Sequence, residues 1–189
     1  MKLIIGLGNH EPKYNLTRHN VGFWCVDTYA HAHDLSWKHS DKFRADIAEF
    51  TQEGEKVLVA KPTTFYNLVG ESARSVADFY KIEPDDILII HDDLALPLGT
   101  IRTRRAGSDG GNNGLKSLQA HLGPDTYRLR VGIWTDVHER ADKVDVVLGK
   151  LNREEQAILN RQVETIRNLI DGFIAERLVV TTHRAEAIE

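Results

Sequence analysis

The chain is poor in the residue types that announce the commonest covalent and metal chemistries. It has one cysteine, Cys25. A lone cysteine allows no intramolecular disulfide and no cysteine zinc cluster. Cys25 lies in the apolar run that starts at Val21, so it reads as a small core residue. That usage fits a reducing compartment, the cytoplasm or an organelle matrix, and of these a cytoplasmic protein is expected. No apolar run approaches the roughly 20 residues of a membrane helix, and "MKLIIGLGN" is too short for a signal peptide's apolar region. No membrane partner is expected. There is no Gly-x-Ser-x-Gly elbow and no His-Glu-x-x-His, and His31 and His33 are spaced for different faces of a helix. "GSDGGNNGLK" lacks the Gly-Lys-Ser/Thr ending of a phosphate loop. "GLGNHE" begins like a dinucleotide fingerprint, but Glu11 stands where the third glycine belongs. Neither a metal nor a cofactor is expected.

What is present describes an ordinary folded enzyme-sized domain. The 189 residues are 41% hydrophobic and 28% charged, enough for one domain with a sizeable core, taken as 1–189. The formal net charge is −4, which on its own points away from nucleic acid. Its distribution does not. Between Gly99 and Arg130 six basic residues (Arg102, Arg104, Arg105, Lys116, Arg128, Arg130) face two acids, Asp109 and Asp125. A solvated basic face or a phosphate-binding surface would each leave that asymmetry.

Short buried-strand patterns alternate with helical ones. "KLIIGLG" is an apolar run closed by glycine. Val21 to about Leu35 has helical spacing. "ADIAEF" and "KVLVAKP" flank Glu53-Gly54-Glu55 as a hairpin. Asn67 to Tyr80 is helical by period, and Pro84 follows it. "DILIIHDD" is a second interior strand. Thr100–Arg105 and "YRLRVGIW" are further strands, and a helix runs from about Leu115 to Leu122. From Arg153 to Ile174, Leu159, Val163, Ile166, Ile170 and Phe173 step by 4, 3, 4 and 3, predicting one helix packed on the domain, with a short final helix after it. The alternation implies an α/β fold: a mixed, mostly parallel twisted sheet with helices on both faces.

Ligands in such sheets sit at the carboxyl ends of the strands. Polar groups gather there: Asn9 after the first strand, Asn67 after the hairpin, His91-Asp92-Asp93 after the fourth, and Asn112-Asn113 in the glycine-rich loop. His19 stands at the seam between "TRHN" and the apolar "VGFW". A histidine, a carboxylate (Asp92 or Asp93) and the amides of Asn9, Asn67 and Asn113 suit activation of water. The substrate would carry an ester or amide next to a phosphate-rich body, because the basic segment follows the cleft in sequence.

Five ordered stretches, "GLGN…Y…TRHNVG", "KPTTFYN", "HDDLALPLGTIRTR", "GSDGGNNGLKS" and "YRLRVGI…VVLGKL", resemble the motifs of bacterial-type peptidyl-tRNA hydrolases from Met1 to about Leu151. The resemblance implies a monomer that hydrolyses the ester between a peptide and the 3′ ribose of tRNA. By position it implies His19 as catalytic base, Asp92 as its orienting acid, and Asn9 as an amide that holds water. It implies Asn67 and Asn113 on the peptide main chain, and Tyr66 and Asn112 beside them. Tyr14 falls near the tRNA 3′ CCA end, and Arg102, Arg104 and Arg130 on phosphate of the acceptor stem.

The chain departs from the family where substrate is expected. His10-Glu11 replaces Pro-Gly after Gly8-Asn9. Tyr66 replaces a methionine, and Asn112 replaces a histidine. Trp134-Thr135-Asp136 replaces Gly-x-Pro. An alternative reading is a weak or inactive homologue that binds RNA or protein. Retention of His19, Asp92 and three amides favours the enzyme, because binding alone needs no base with an orienting acid.

Overall fold

Residues 1–136 and 142–184 are described in the computed structural model. The first strand, β1 (Lys2–Gly6), is buried along its whole length. Its neighbours explain the unbroken apolar run. After a peripheral strand β2 (Lys38–Ser40) and the strand β3 (Ala45–Gln52), β4 (Glu55–Pro62) lies parallel to β1 on one side. On the other side lies β5 (Ile87–Pro97), also parallel. Beyond the antiparallel strand β6 (Thr100–Arg105), β7 (Tyr127–Trp134) pairs parallel with β5, so four parallel strands form the centre. A last strand, β8 (Thr182–Arg184), closes the order β2-β3-β4-β1-β5-β7-β6-β8. Both flanks are antiparallel.

Side chains alternate across this sheet and fill two cores. On one face Ile4, Val57, Leu88, Leu129 and Val131 pack against α1 (Val21–Ala32) and the later helices α5 (Arg153–Asn160) and α6 (Val163–Ile174). On the other, Leu3, Ile5, Leu58 and Ile89 pack against α2 (Val69–Tyr80) and α3 (Asn113–Leu122). Cys25 belongs to the first core, where burial pushes its thiol up and keeps it protonated. No helix among the described residues is long and apolar enough to cross a membrane.

The sheet and its two helical layers match the expected architecture, and four local differences have physical causes. The hairpin turn is two residues, Glu53 and Gly54, both at positive φ, while Glu55 already pairs with Gln52. That is the twist-matched geometry of short hairpins. The expected helix over 153–174 is two. Gln162 bonds back only three residues, to the Leu159 carbonyl, and Val163 starts α6. The apolar stripe stays continuous across the break, so its period conceals it. A short helix α4 (Lys143–Leu148), capped by Asp142, was not expected.

The described tail is also extended rather than helical. Thr103 takes it over: its hydroxyl donates to the Val179 carbonyl at 2.6 Å, and the Thr181 N–H returns to the same hydroxyl at 2.9 Å. The tail thereby covers the edge of β6, whose backbone groups would otherwise lack partners.

Candidate active site

The carboxyl end of β1 and the middle of β5 meet the amino end of α1, and Gly22 makes this contact possible. A side chain at Gly22 would collide with the Ile90 carbonyl and stand 2.5 Å from Leu7 backbone atoms. The helix entrance can therefore lie directly on the two strands. His19 sits in the 3-10 turn Arg18–Asn20 just before α1.

His19 Nδ1 is 3.0 Å from Asp92 Oδ1 in the middle of β5. This strand runs on past the expected end at Asp93, through a register shift, to Pro97. Asp92 is 4% exposed in its side chain and His19 14%. A carboxylate can only accept, so the pair places the ring proton on Nδ1 and leaves Nε2 as the basic nitrogen. Nε2 has no hydrogen-bond partner among the described residues and is not buried, so it is open to water. The choice between the two acids is settled by direction. Asp93 turns away to an ion pair with Arg130 and accepts the Ala95 N–H at 2.8 Å.

Asn20 does not cap α1, although its position at the helix entrance suggests a cap. Its amide is spent on Asn9: Oδ1 accepts the Asn9 N–H at 2.8 Å, and Nδ2 donates to the Asn9 carbonyl at 2.9 Å. This two-way clamp fixes the backbone of Asn9 beside the histidine turn. The turn itself is anchored from behind. Arg18 forms a buried ion pair with Glu155 of α5, and the Arg18 N–H bonds to the Gly149 carbonyl at 3.0 Å.

Two further side chains converge on the dyad. The Tyr66 ring stacks on His19 with centroids 3.7 Å apart. Its hydroxyl is 3.3 Å from Asp92 Oδ1, and Asn112 Nδ2 is 3.0 Å from that hydroxyl and 3.3 Å from the same carboxylate oxygen. Asn112 Oδ1 meanwhile caps α3 by accepting the Leu115 N–H. Burial and the neighbouring Asp92 charge push the Tyr66 phenol well up, so it remains a donor.

The remaining expected residues are less tightly gathered. Asn67 is exposed in the 3-10 turn Tyr66–Leu68, next to buried Tyr66, and Asn113 is exposed at the first residue of α3, next to Asn112. Neither amide is engaged within the described residues. Tyr14 ends the 3-10 turn Pro12–Tyr14, half-buried under Lys13, and no contact joins it to the dyad.

The basic segment resolves into different jobs. In β6 and β7, Arg102 is opposite Arg130 and Arg104 opposite Arg128, so the four share the sheet face that carries α2 and α3. Arg128 is buried and holds the glycine-rich loop, donating to the Ser108 carbonyl at 2.6 Å and the Gly107 carbonyl at 2.8 Å. It is thus a strut for the loop that delivers Asn112. Arg102 donates to Thr182 of β8 at 3.0 Å, and Arg104 to the Thr103 carbonyl at 2.7 Å. Register also sets Arg184 opposite Thr100 and therefore on the same face as Arg102. The roles of Arg184, Arg18, Asn20 and Arg128 are not legible in the sequence, although Arg128 belongs to the basic segment. Their only signals are local, and their partners are 11 to 137 residues distant or lie on another strand.

Comparison with known proteins identifies the family. The peptidyl-tRNA hydrolase family model matches residues 3–188. The peptidyl-tRNA hydrolase of Synechocystis sp. is 43% identical over 188 residues, covering 97% of this chain and 96% of that one. That of Bacillus cytotoxicus is 43% identical, covering 92% and 93%. The crystal structure of peptidyl-tRNA hydrolase from Acinetobacter baumannii superposes with a TM-score of 0.81 at 32% identity, covering 96% of each chain. The chain belongs to the peptidyl-tRNA hydrolase family.

Proposed function

We propose that this enzyme hydrolyses the ester joining a peptide to the 3′ ribose of tRNA, with His19 as general base. The observation that carries the assignment is the His19–Asp92 pair at 3.0 Å with Nε2 left open. In this reading a water oxygen attacks the ester carbonyl carbon while Nε2 takes the water proton. Asp92 steadies the imidazolium that forms. The tetrahedral intermediate then expels the ribose 3′ oxygen, which recovers the proton from Nε2. Free peptide and free tRNA leave.

Asn9 is the amide best placed to orient the water, because its backbone is held on the histidine turn. Asn67 and Asn113 offer unengaged amides at the rim for the peptide main chain, and Tyr14 lies on the CCA side. Arg102, Arg104 and Arg130 form the face proposed to meet acceptor-stem phosphate, Arg130 in part shielded by Asp93. A cytoplasmic monomer fits a chain whose one thiol is buried and reduced. A dyad of this geometry also favours an enzyme over a purely RNA-binding homologue.

The test compares peptidyl-tRNA with a simple acyl ester for the wild type and His19→Ala. Rapid His19-dependent cleavage of peptidyl-tRNA alone is expected. Cleavage of both substrates at similar rates would point to a general esterase, and tRNA binding without turnover to a binding module.

A further inference from the structure

We infer that Tyr66 and Asn112 are positioning residues that act on His19 through a single oxygen of Asp92. The inference rests on His19 being the base. Three donors converge on Asp92 Oδ1: His19 Nδ1 at 3.0 Å, the Tyr66 hydroxyl at 3.3 Å and Asn112 Nδ2 at 3.3 Å. Asn112 Nδ2 also reaches the Tyr66 oxygen at 3.0 Å. The hydroxyl thus accepts from the amide and donates to the carboxylate, and the two side chains form one relay.

The geometry restricts the dyad in two ways. The Tyr66 ring covers one face of the imidazole and opposes rotation of His19 away from Asp92. The relay also occupies part of the negative charge on Oδ1 that would otherwise go to the imidazolium. Both effects are fastened to rigid structure. Asn112 caps α3, and Tyr66 is 7% exposed and lies over Gly114, where a side chain would stand 2.6 Å from its ring. An alanine at that glycine would displace the ring from the histidine.

A substrate contact would need free polar atoms facing the cleft. The Asn112 oxygen is taken by the Leu115 N–H, and its nitrogen by Tyr66 and Asp92. The Tyr66 hydroxyl is likewise engaged on both sides. The titratable or charged groups around His19 are Asp92, Tyr66, His91 beside them on β5, the Asp93–Arg130 pair, and Arg18 with Glu155 behind the turn.

The test uses Tyr66→Phe, which keeps the stacked ring, and Asn112→Ser, which keeps an oxygen able to cap α3. Each removes a donor that fixes the Asp92 carboxylate towards His19. This loss of positioning outweighs the freer charge and is expected to lower kcat on peptidyl-tRNA about tenfold, the scale of one hydrogen bond to a charged group, with KM unchanged. The acid limb of the kcat–pH profile should move to higher pH, because Asp92 then stabilises the imidazolium more strongly. The double variant should lose less than the product of the single losses, since both act through one oxygen. A raised KM with kcat and pH profile unchanged would overturn the inference in favour of substrate contact. A lowered Tm with an unmoved pH profile would overturn it in favour of simple packing. Full activity in His19→Ala would instead remove the base assignment beneath it.

Discussion

Arg18 reaches Glu155, 137 residues away in the chain, with Nη2 2.6 and 2.7 Å from the two carboxylate oxygens. Glu155 also accepts the Asn152 N–H at 2.8 Å, within the capping box that starts α5. The residue before His19 is therefore tied to the helical tail through a buried charge pair. A buried pair adds little over an apolar pair of the same shape, but stranding one partner is costly. Glu155→Gln should reduce unfolding free energy by about 3–5 kcal/mol. Denaturant titration measures it, and a loss below about 1 kcal/mol would put the pair in the class of exposed surface bridges.

Replacing His19 should abolish chemistry and spare the fold. His19→Ala is expected to lower kcat by about 10²–10⁴-fold with tRNA affinity and Tm unchanged. The control is His91, one residue from Asp92 but buried, with Nδ1 donating to the Asp92 carbonyl at 2.7 Å. If His91→Gln removed turnover while His19→Ala kept it, the base would be the other ring.

Asp92→Asn should be severe and incomplete. The amide presents a donor as well as an acceptor to Nδ1 and can hold the ring in the wrong tautomer, with a loss of about 10⁴-fold in the best-studied parallel. Asp93→Asn should instead act through Arg130, its ion-pair partner, and lower kcat far less. Steady-state kinetics of the two variants decides between them, and the reverse ranking would contradict the geometry.

The basic face should report itself through salt. Alanine at Arg102, Arg104 or Arg130 should weaken full-length tRNA binding and lower the salt slope by about one unit or less each. A substrate with only a few nucleotides should be affected less. Arg184, on the same face through β8, should behave like Arg102. Arg128 should not, because it is buried against the loop and its loss would disturb α3. Equal effects on long and short substrates would mean that these arginines shape the cleft.

His91 also makes stability depend on pH. Burial holds its ring below the ordinary value of 6.5, so the folded chain prefers it neutral. The unfolded chain binds that proton more readily. Stability from this residue is therefore complete above about pH 6.5 and falls as pH drops towards the lower folded value. The difference in unfolding free energy between wild type and His91→Gln, followed from pH 7 to 5, should change in that direction. A flat difference would show that His91 titrates alike in both states.

The sequence by itself determined the parts whose physics is local or periodic. Continuous apolar runs such as Lys2–Gly6 and Ile87–Ile90 must be interior strands, because only burial on both faces suits them. Their alternation with 3.6-period stripes implies helices on both faces of a sheet, the strand-end rule points to Asn9 and to Asp92 or Asp93, and His19 stands out at the seam before the apolar run. Tertiary structure decided what depends on direction and on distant partners. Asp92 and Asp93 are indistinguishable in "HDD", yet successive side chains leave a strand on opposite faces, so one meets His19 and the other Arg130. Tyr66 and Asn112 look like separate departures near substrate until α3 brings them together, 3.0 Å apart over Asp92. The break at Gln162 is invisible because the apolar stripe crosses it without losing step. Strand β8 is unreadable from its own residues, because Thr103, some 80 residues earlier, holds it extended. Pattern fixes which face of an element is buried, and only the assembled sheet fixes which side chains that burial brings within hydrogen-bonding reach.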